Sequence, residues 1–210
     1  VGSGVLVGVS VGVAVGSGVL VGVSVGRATG LKVAVTLLTP FIRTTHGTLC
    51  ESSAITEYLE ALAPAPPLLP ADPWRAAKVR ELVIFIDLHL ELVARELYPQ
   101  AFFGGTVSES QQARVRKLLD KHIPGFKRLA RFAPFVAGDT FTLADCSAYV
   151  SLPLVALASK SVYGEDLLAA HGIDWKGYGK LIAQRPSAQR VDADRKADQA
   201  RPPPAAQAKG

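Results

Sequence analysis

The 210-residue sequence predicts an α/β domain followed by an all-α helical bundle. Three observations carry that prediction. Residues 41–62 read as two short strands leading into a helix, residues 63–73 contain five prolines, and residues 74–195 place apolar side chains at helical spacing behind recognisable N-caps. Hydrophobic residues make up 49% of the chain and charged residues 20%, enough apolar material to bury a core in each part.

The chain opens on an anomaly. Residues 1–12 recur unchanged as residues 15–26, and no charge precedes Arg27. A signal peptide would carry a basic start. Gly4, Gly8, Gly12 and Gly16 form a small-residue ladder of the kind found between membrane helices, but valine at almost every odd position has the period of a strand. Eight glycines in 26 residues would also penalise a helix by about 1 kcal/mol each relative to alanine. We therefore expect residues 1–26 to be neither a membrane span nor natural sequence. Intact mass and N-terminal sequencing test that expectation.

Phe41 to Thr45 is β-branched and aromatic, and His46-Gly47 is a turn signal that returns Thr48 to Cys50 as a second strand. Ala54, Ile55, Tyr58, Leu59 and Leu62 then recur at helical spacing. Ser52 thus falls at or just before the first helical turn. Its hydroxyl and the unpaired N–H groups there can face a carboxylate, while Glu51 can accept from an ammonium group. A zwitterionic amino-acid head group fits the pair, although Ser52 as a plain helix cap beside an exposed acid is the simpler reading of these two residues alone.

The proline-rich segment 63–73 marks a linker between a first domain, residues 1–62, and a second, residues 74–195. Asp72 can cap a helix whose first residue is Pro73, with Leu82, Phe85, Ile86, Leu90, Val93 and Leu97 on one face. Tyr98, Phe102 and Phe103 follow, and aromatics of this kind more often fill a core. Ser108 and Gln111 have capping-box spacing ahead of Val115, Leu118 and Leu119, and Pro124-Gly125 is expected to kink or break that helix. Thr142 and Asp145 are spaced to cap the next helix reciprocally, a structural role worth about 0.5–2 kcal/mol. Arg185-Pro186-Ser187 starts another helix, and the tail 196–210, with three consecutive prolines, is expected to be disordered.

Thr39-Pro40 ahead of a strand, the hairpin, and Glu51-Ser52 opening a helix together resemble the second half of the thioredoxin-like domain of cytosolic glutathione transferases of bacterial type. The run Gly138 to Asp145 is similar to a capping motif in the all-helical second domain of that family. The resemblance covers roughly residues 31–195 and implies a thioredoxin-like N-terminal domain followed by a helical-bundle C-terminal domain. It implies further that Pro40 is a cis proline, that Thr39 offers backbone groups to the cysteinyl part of glutathione, and that Glu51 and Ser52 bind its γ-glutamyl end. The helix carrying Tyr98, Phe102 and Phe103 would line the pocket for the electrophile.

The implied activity is attack by the glutathione thiolate on a small electrophile, with glutathione as co-substrate, no metal, a homodimeric assembly and a cytoplasmic setting. A thiol of pKa about 8.5 is only about 3% ionised at pH 7, and lowering it to about 6.5 raises that to about 75%. The family places its sulfur-activating Tyr, Ser or Cys near the chain start. Residues 1–38 contain no Tyr and no Cys, and nothing singles out one of Ser3, Ser10, Ser17 and Ser24, so no catalytic residue is named. Two alternatives follow: a catalytically silent binding or scaffold protein of the same fold, and a glutathione-dependent thiol reductase or peroxidase.

Charge and cysteine content exclude other classes. The net charge of +5 is spread along the chain with no basic run interleaved with aromatics, which argues against nucleic acid. Cys50 and Cys146 belong to no CxxC pair or metal-spaced cluster and read as buried, reduced residues of an intracellular protein. His46, His89, His122 and His171 are far apart in sequence.

Overall fold

The computed structural model describes residues 32–36, 39–62 and 66–200. The repeat at 1–26, the region expected to supply the sulfur-activating group, and the tail beyond residue 200 lie outside these. The chain divides into two compact units, Val1–Ala65 with Arg185–Gly210, and Pro66–Gln184.

In the first unit, β1 (Lys32–Thr36), β2 (Thr39–Thr44) and β3 (Gly47–Cys50) form an antiparallel sheet in that order, and α1 (Ser52–Ala61) follows. The strand β1 had no counterpart among the sequence expectations, although Val33 and Val35 alternate as a strand requires. The β2–β3 turn is closed by Thr44, whose hydroxyl donates to the Gly47 carbonyl at 3.1 Å and accepts from the His46 N–H at 3.0 Å. Gly47 has φ +131°, which a side chain would strain. Ile42 of β2 packs with Ile55 and Leu59 of α1, flanked by Leu49 and Tyr58. Because Leu49 faces this core, the strand alternation turns Cys50 outward, and it is exposed rather than buried. Cys146 is half-buried, and neither cysteine forms a disulfide.

The second unit contains α2 (Pro73–Phe85), a π-helical segment (Ile86–Glu91), α3 (Leu92–Arg95), α4 (Tyr98–Phe102), α5 (Glu109–Leu129), α6 (Leu143–Tyr163), α7 (Leu167–Ala170) and α8 (Trp175–Ile182). The helix α6 is the centre, packed against α2, the π segment, α3, α4, α7 and α8. Its Ala148, Leu152, Val155, Ala156 and Ala158 are buried. Four starts are capped by acids or serine: Asp72 accepts from the Arg75 N–H at 2.8 Å, Ser108 from Gln111 at 3.3 Å, Asp166 from Ala169 at 3.1 Å and Asp174 from Gly177 at 2.9 Å. The Gln111 amide reaches Glu96 at 3.2 Å, where a capping box would send it back to residue 108.

Pro124-Gly125 does not break α5, contrary to expectation. Val115, Leu119, Ile123 and Phe126 form a fully buried line along the helix. An interior proline costs about 3 kcal/mol. Continuing the helix keeps Ile123 and Phe126 in the core, and each such side chain contributes about 1.5–3 kcal/mol by burial. Gly125 lets Phe85 approach, since a Cβ there would lie 3.2 Å from its ring.

A further helix, α9 (Pro186–Gln199), starts at the expected proline and runs four residues into the segment expected to be disordered. Its Ala, Gln, Arg, Lys and Asp residues sustain a helix until Pro202 approaches, a stop that lies later than the composition change at Lys196. The same helix groups with the first unit, whereas the sequence reading carried the helical domain to residue 195. Among the described residues no helix is long and apolar enough to cross a membrane.

Candidate functional site

The sheet register brings the predicted site residues to one end of β2 and β3. Pairing there finishes with Phe41 opposite Cys50, so Pro40 and Glu51 are the next residues out on adjacent strands. Thr39-Pro40 opens β2, and its backbone also pairs with Val35 and Thr36 of β1. The side chains of Thr39 and Pro40, and with them the cis expectation for Pro40, lie outside the described residues.

Glu51 holds the corner in an uncommon conformation, φ 70° and ψ 125°. For a residue with a side chain such a geometry costs about 1–3 kcal/mol and persists only where its surroundings enforce it. Two features enforce it here. The Glu51 carbonyl accepts from the Ile55 N–H at 2.9 Å, and Ile55 is anchored in the core with Leu59 and Ile42. The Glu51 side chain makes no cap bond to the helix it precedes. Its exposed carboxylate is therefore available to a cation. Ser52 is the first residue of the ten-residue helix and is half-buried, with the N–H groups of the first turn beside it. The corner thus presents a carboxylate next to a hydroxyl and helix-start donors, complementary to an ammonium and a carboxylate on one carbon.

Thr142 and Asp145 lie in the second unit. The buried Asp145 carboxylate accepts from the Thr142 N–H at 2.8 Å and hydroxyl at 3.1 Å, from the Val136 N–H at 2.8 Å and from the Tyr178 hydroxyl at 2.7 Å. All these groups are consumed within the fold, so nothing remains to act on a substrate. Spacing identified the Thr142 bond but not the bonds to Val136 and Tyr178, which depend on the tertiary fold.

A second polar group went unnoticed in the sequence. In the π segment, Glu91 is buried and held by Arg95 at 2.7 and 3.0 Å and by the Tyr98 hydroxyl at 3.0 Å. Burial first, and then the Glu91 charge, push the Tyr98 phenol well above its ordinary value, so it remains protonated. One turn earlier Asp87 accepts from the Ser147 hydroxyl at 2.6 Å, and burial raises its pKa. The spacing of Glu91 and Arg95 was the available signal. Of the three aromatics near α4, Tyr98 is buried whereas Phe102 and Phe103 are exposed. Among the described residues no group of His, Cys, Asp and Glu is arranged to hold a metal ion.

No protein-family model matches the sequence. The chain is 38% identical over 167 residues to a glutathione S-transferase of Pseudomonas putida strain F1, a match spanning 80% of this chain and 76% of that protein. Its fold is similar to that of glutathione S-transferase III in the apo form, with TM-score 0.60 and 27% identity over 79% of this chain and 75% of the other. A glutathione S-transferase of Methylobacterium radiotolerans, solved in complex with glutathione sulfonate, gives TM-score 0.56 and 25% identity over 72% of this chain and 70% of its own.

Proposed function

This chain belongs to the glutathione S-transferase family and is an enzyme of that type, and from that premise we propose that it conjugates the glutathione thiolate to small electrophilic molecules. The observation that carries the proposal is the convergence of Thr39-Pro40 and Glu51-Ser52 at one end of the β2–β3 pair, beside the open start of α1. In this reading Glu51 accepts from the γ-glutamyl ammonium group, and Ser52 with the first-turn N–H groups donates to the adjacent carboxylate. Backbone groups of Thr39-Pro40 hold the cysteinyl part. The glutathione sulfonate bound by the Methylobacterium protein supports glutathione as the co-substrate. In the reaction the thiol loses its proton to solvent, the thiolate forms a carbon–sulfur bond, and the electrophile's leaving group departs with its electron pair.

We place this chemistry in the cytoplasm, as detoxification, where the two cysteines, which form no disulfide, remain reduced. The proposed assembly is a homodimer. Ile84, Leu88 and Leu92 are each about half exposed and lie four residues apart, a continuous apolar stripe along α2, the π segment and α3.

Calorimetric titration with glutathione, followed by turnover of a panel of electrophiles including aryl halides, tests the proposal. Saturable binding with conjugate formation is expected. Binding without turnover of any electrophile would instead identify a silent scaffold, and absence of binding would remove the site assignment.

A further inference from the structure

The helical unit contains a cavity of about 560 Å³ whose lining includes no residue of the Glu51–Ser52 corner. Four cations line it, Arg75 and Lys78 of α2, Arg128 at the end of α5 and Arg131 just beyond, against one carboxylate, Asp139. Lys78 is paired with Glu81. The Asp139 carboxylate accepts from the Thr140 hydroxyl at 3.0 Å. Among the described residues the guanidinium groups of Arg75, Arg128 and Arg131 make no ion pair or hydrogen bond. Three like charges around one concavity repel one another, and a concave wall concentrates their field.

Trp74 stands at the same cavity and is 74% exposed, the most exposed large apolar side chain among the described residues. It follows Pro73 in the first turn of α2, and Leu82 and Phe141 provide an apolar lining beyond it. An indole left in water beside several guanidinium groups suits a ligand with a planar face and a multiply charged anionic group. Guanidinium groups engage phosphate through paired N–H donors, and a base stacks on an aromatic face without regard to its identity. The volume lies within the range of sites that enclose a small molecule.

We propose that this cavity binds a phosphorylated small molecule with a planar aromatic body, of the nucleoside di- or triphosphate class. Arg75, Arg128 and Arg131 hold the phosphates, and Trp74 stacks on the ring. The proposal is independent of the glutathione site.

The test follows Trp74 fluorescence in a Trp175→Phe background while ADP is added, with adenosine and inorganic pyrophosphate as half-ligands. Calorimetry of the unaltered chain with the same three probes reports the same comparison should Trp175→Phe fold poorly. Saturable ADP binding with Kd below about 1 mM is expected, with each half-ligand at least about 10-fold weaker. Arg128→Gln with Arg131→Gln should weaken ADP by about 10- to 100-fold for each charge-assisted hydrogen bond removed, leaving glutathione affinity and Tm unchanged. No saturation by about 10 mM ADP, or equal affinity in the folded double variant, would overturn the proposal. Pyrophosphate binding as tight as ADP, together with an inert Trp74→Ala, would overturn it as well, since the cavity would then take any phosphoanion.

Discussion

Replacing Ser52 by alanine separates recognition from folding at the proposed glutathione site. The hydroxyl belongs to the first residue of α1, while the capping position is occupied by Glu51, whose side chain makes no cap bond. Removing it therefore takes no cap from the helix, and alanine improves helix propensity by about 0.5 kcal/mol. Binding should respond in the opposite direction. A hydrogen bond to a charged carboxylate is worth about 1.5–3 kcal/mol, and about 1.4 kcal/mol corresponds to a tenfold change in affinity. Ser52 is only half-buried, so solvent screens part of that energy and the lower end of about 10- to 100-fold applies. Calorimetry with glutathione reads the affinity, and thermal unfolding followed by circular dichroism reads the fold. A Ser52→Ala protein with unchanged Tm and unchanged Kd would refute the assignment of the corner to the γ-glutamyl end.

Four further outcomes follow. Glu51→Val should destabilise the chain by more than about 1 kcal/mol, because a β-branched side chain tolerates φ 70° poorly, and a urea midpoint equal to that of Glu51→Gln would contradict this. Asp145→Ala leaves the Val136 and Thr142 N–H groups and the Tyr178 hydroxyl without their acceptor, at about 1–3 kcal/mol for each donor left buried and unsatisfied, and should cost more by urea unfolding than the loss of a simple cap. Burial lifts the Asp87 pKa above its ordinary 3.8, reinforced by Glu91 and opposed by the Ser147 bond. The fold therefore favours its protonated form, and the stability it contributes below pH 3.8 is lost as pH rises through the raised value, so Asp87→Asn should gain on the parent in urea midpoints as pH rises above 3.8. Leu88→Glu places a charge in the apolar stripe and should convert a dimer to a monomer in light scattering without loss of helicity; a parent that is already monomeric would remove the homodimer proposal.

What could be read from the sequence was what local chemistry decides. Gly47 at the turn, Asp72 before Pro73, and Ser108 three residues before Gln111 each act within a few residues of themselves, and the structure bonds each one there or nearby. The corner at Glu51-Ser52 was legible for the same reason, as the junction of a strand period with a helix period. Its strained φ was not, because that follows from Ile55 and Leu59 being anchored against Ile42. Pro124 misled because the local rule counts a lost hydrogen bond and not the core that Ile123 and Phe126 enter. The π segment was hidden by its flanks, since Ile86 and Leu90 continue the apolar spacing into it while Glu91 is carried inward to Arg95 and Tyr98.

The bond from Tyr178 to Asp145 closes a span of 33 residues, whereas the other bonds to that carboxylate come from within nine. Closing a long loop carries an entropic cost that local capping does not. During synthesis the start of α6 can be capped as soon as residues 136–145 emerge, but its carboxylate acquires its last donor only when α8 follows. The helical unit is therefore sealed from its C-terminal end. A nascent chain paused before residue 178 would leave the buried acid short of one of its four donors at the start of a largely apolar helix, a state for a chaperone to recognise and for truncation to make permanent.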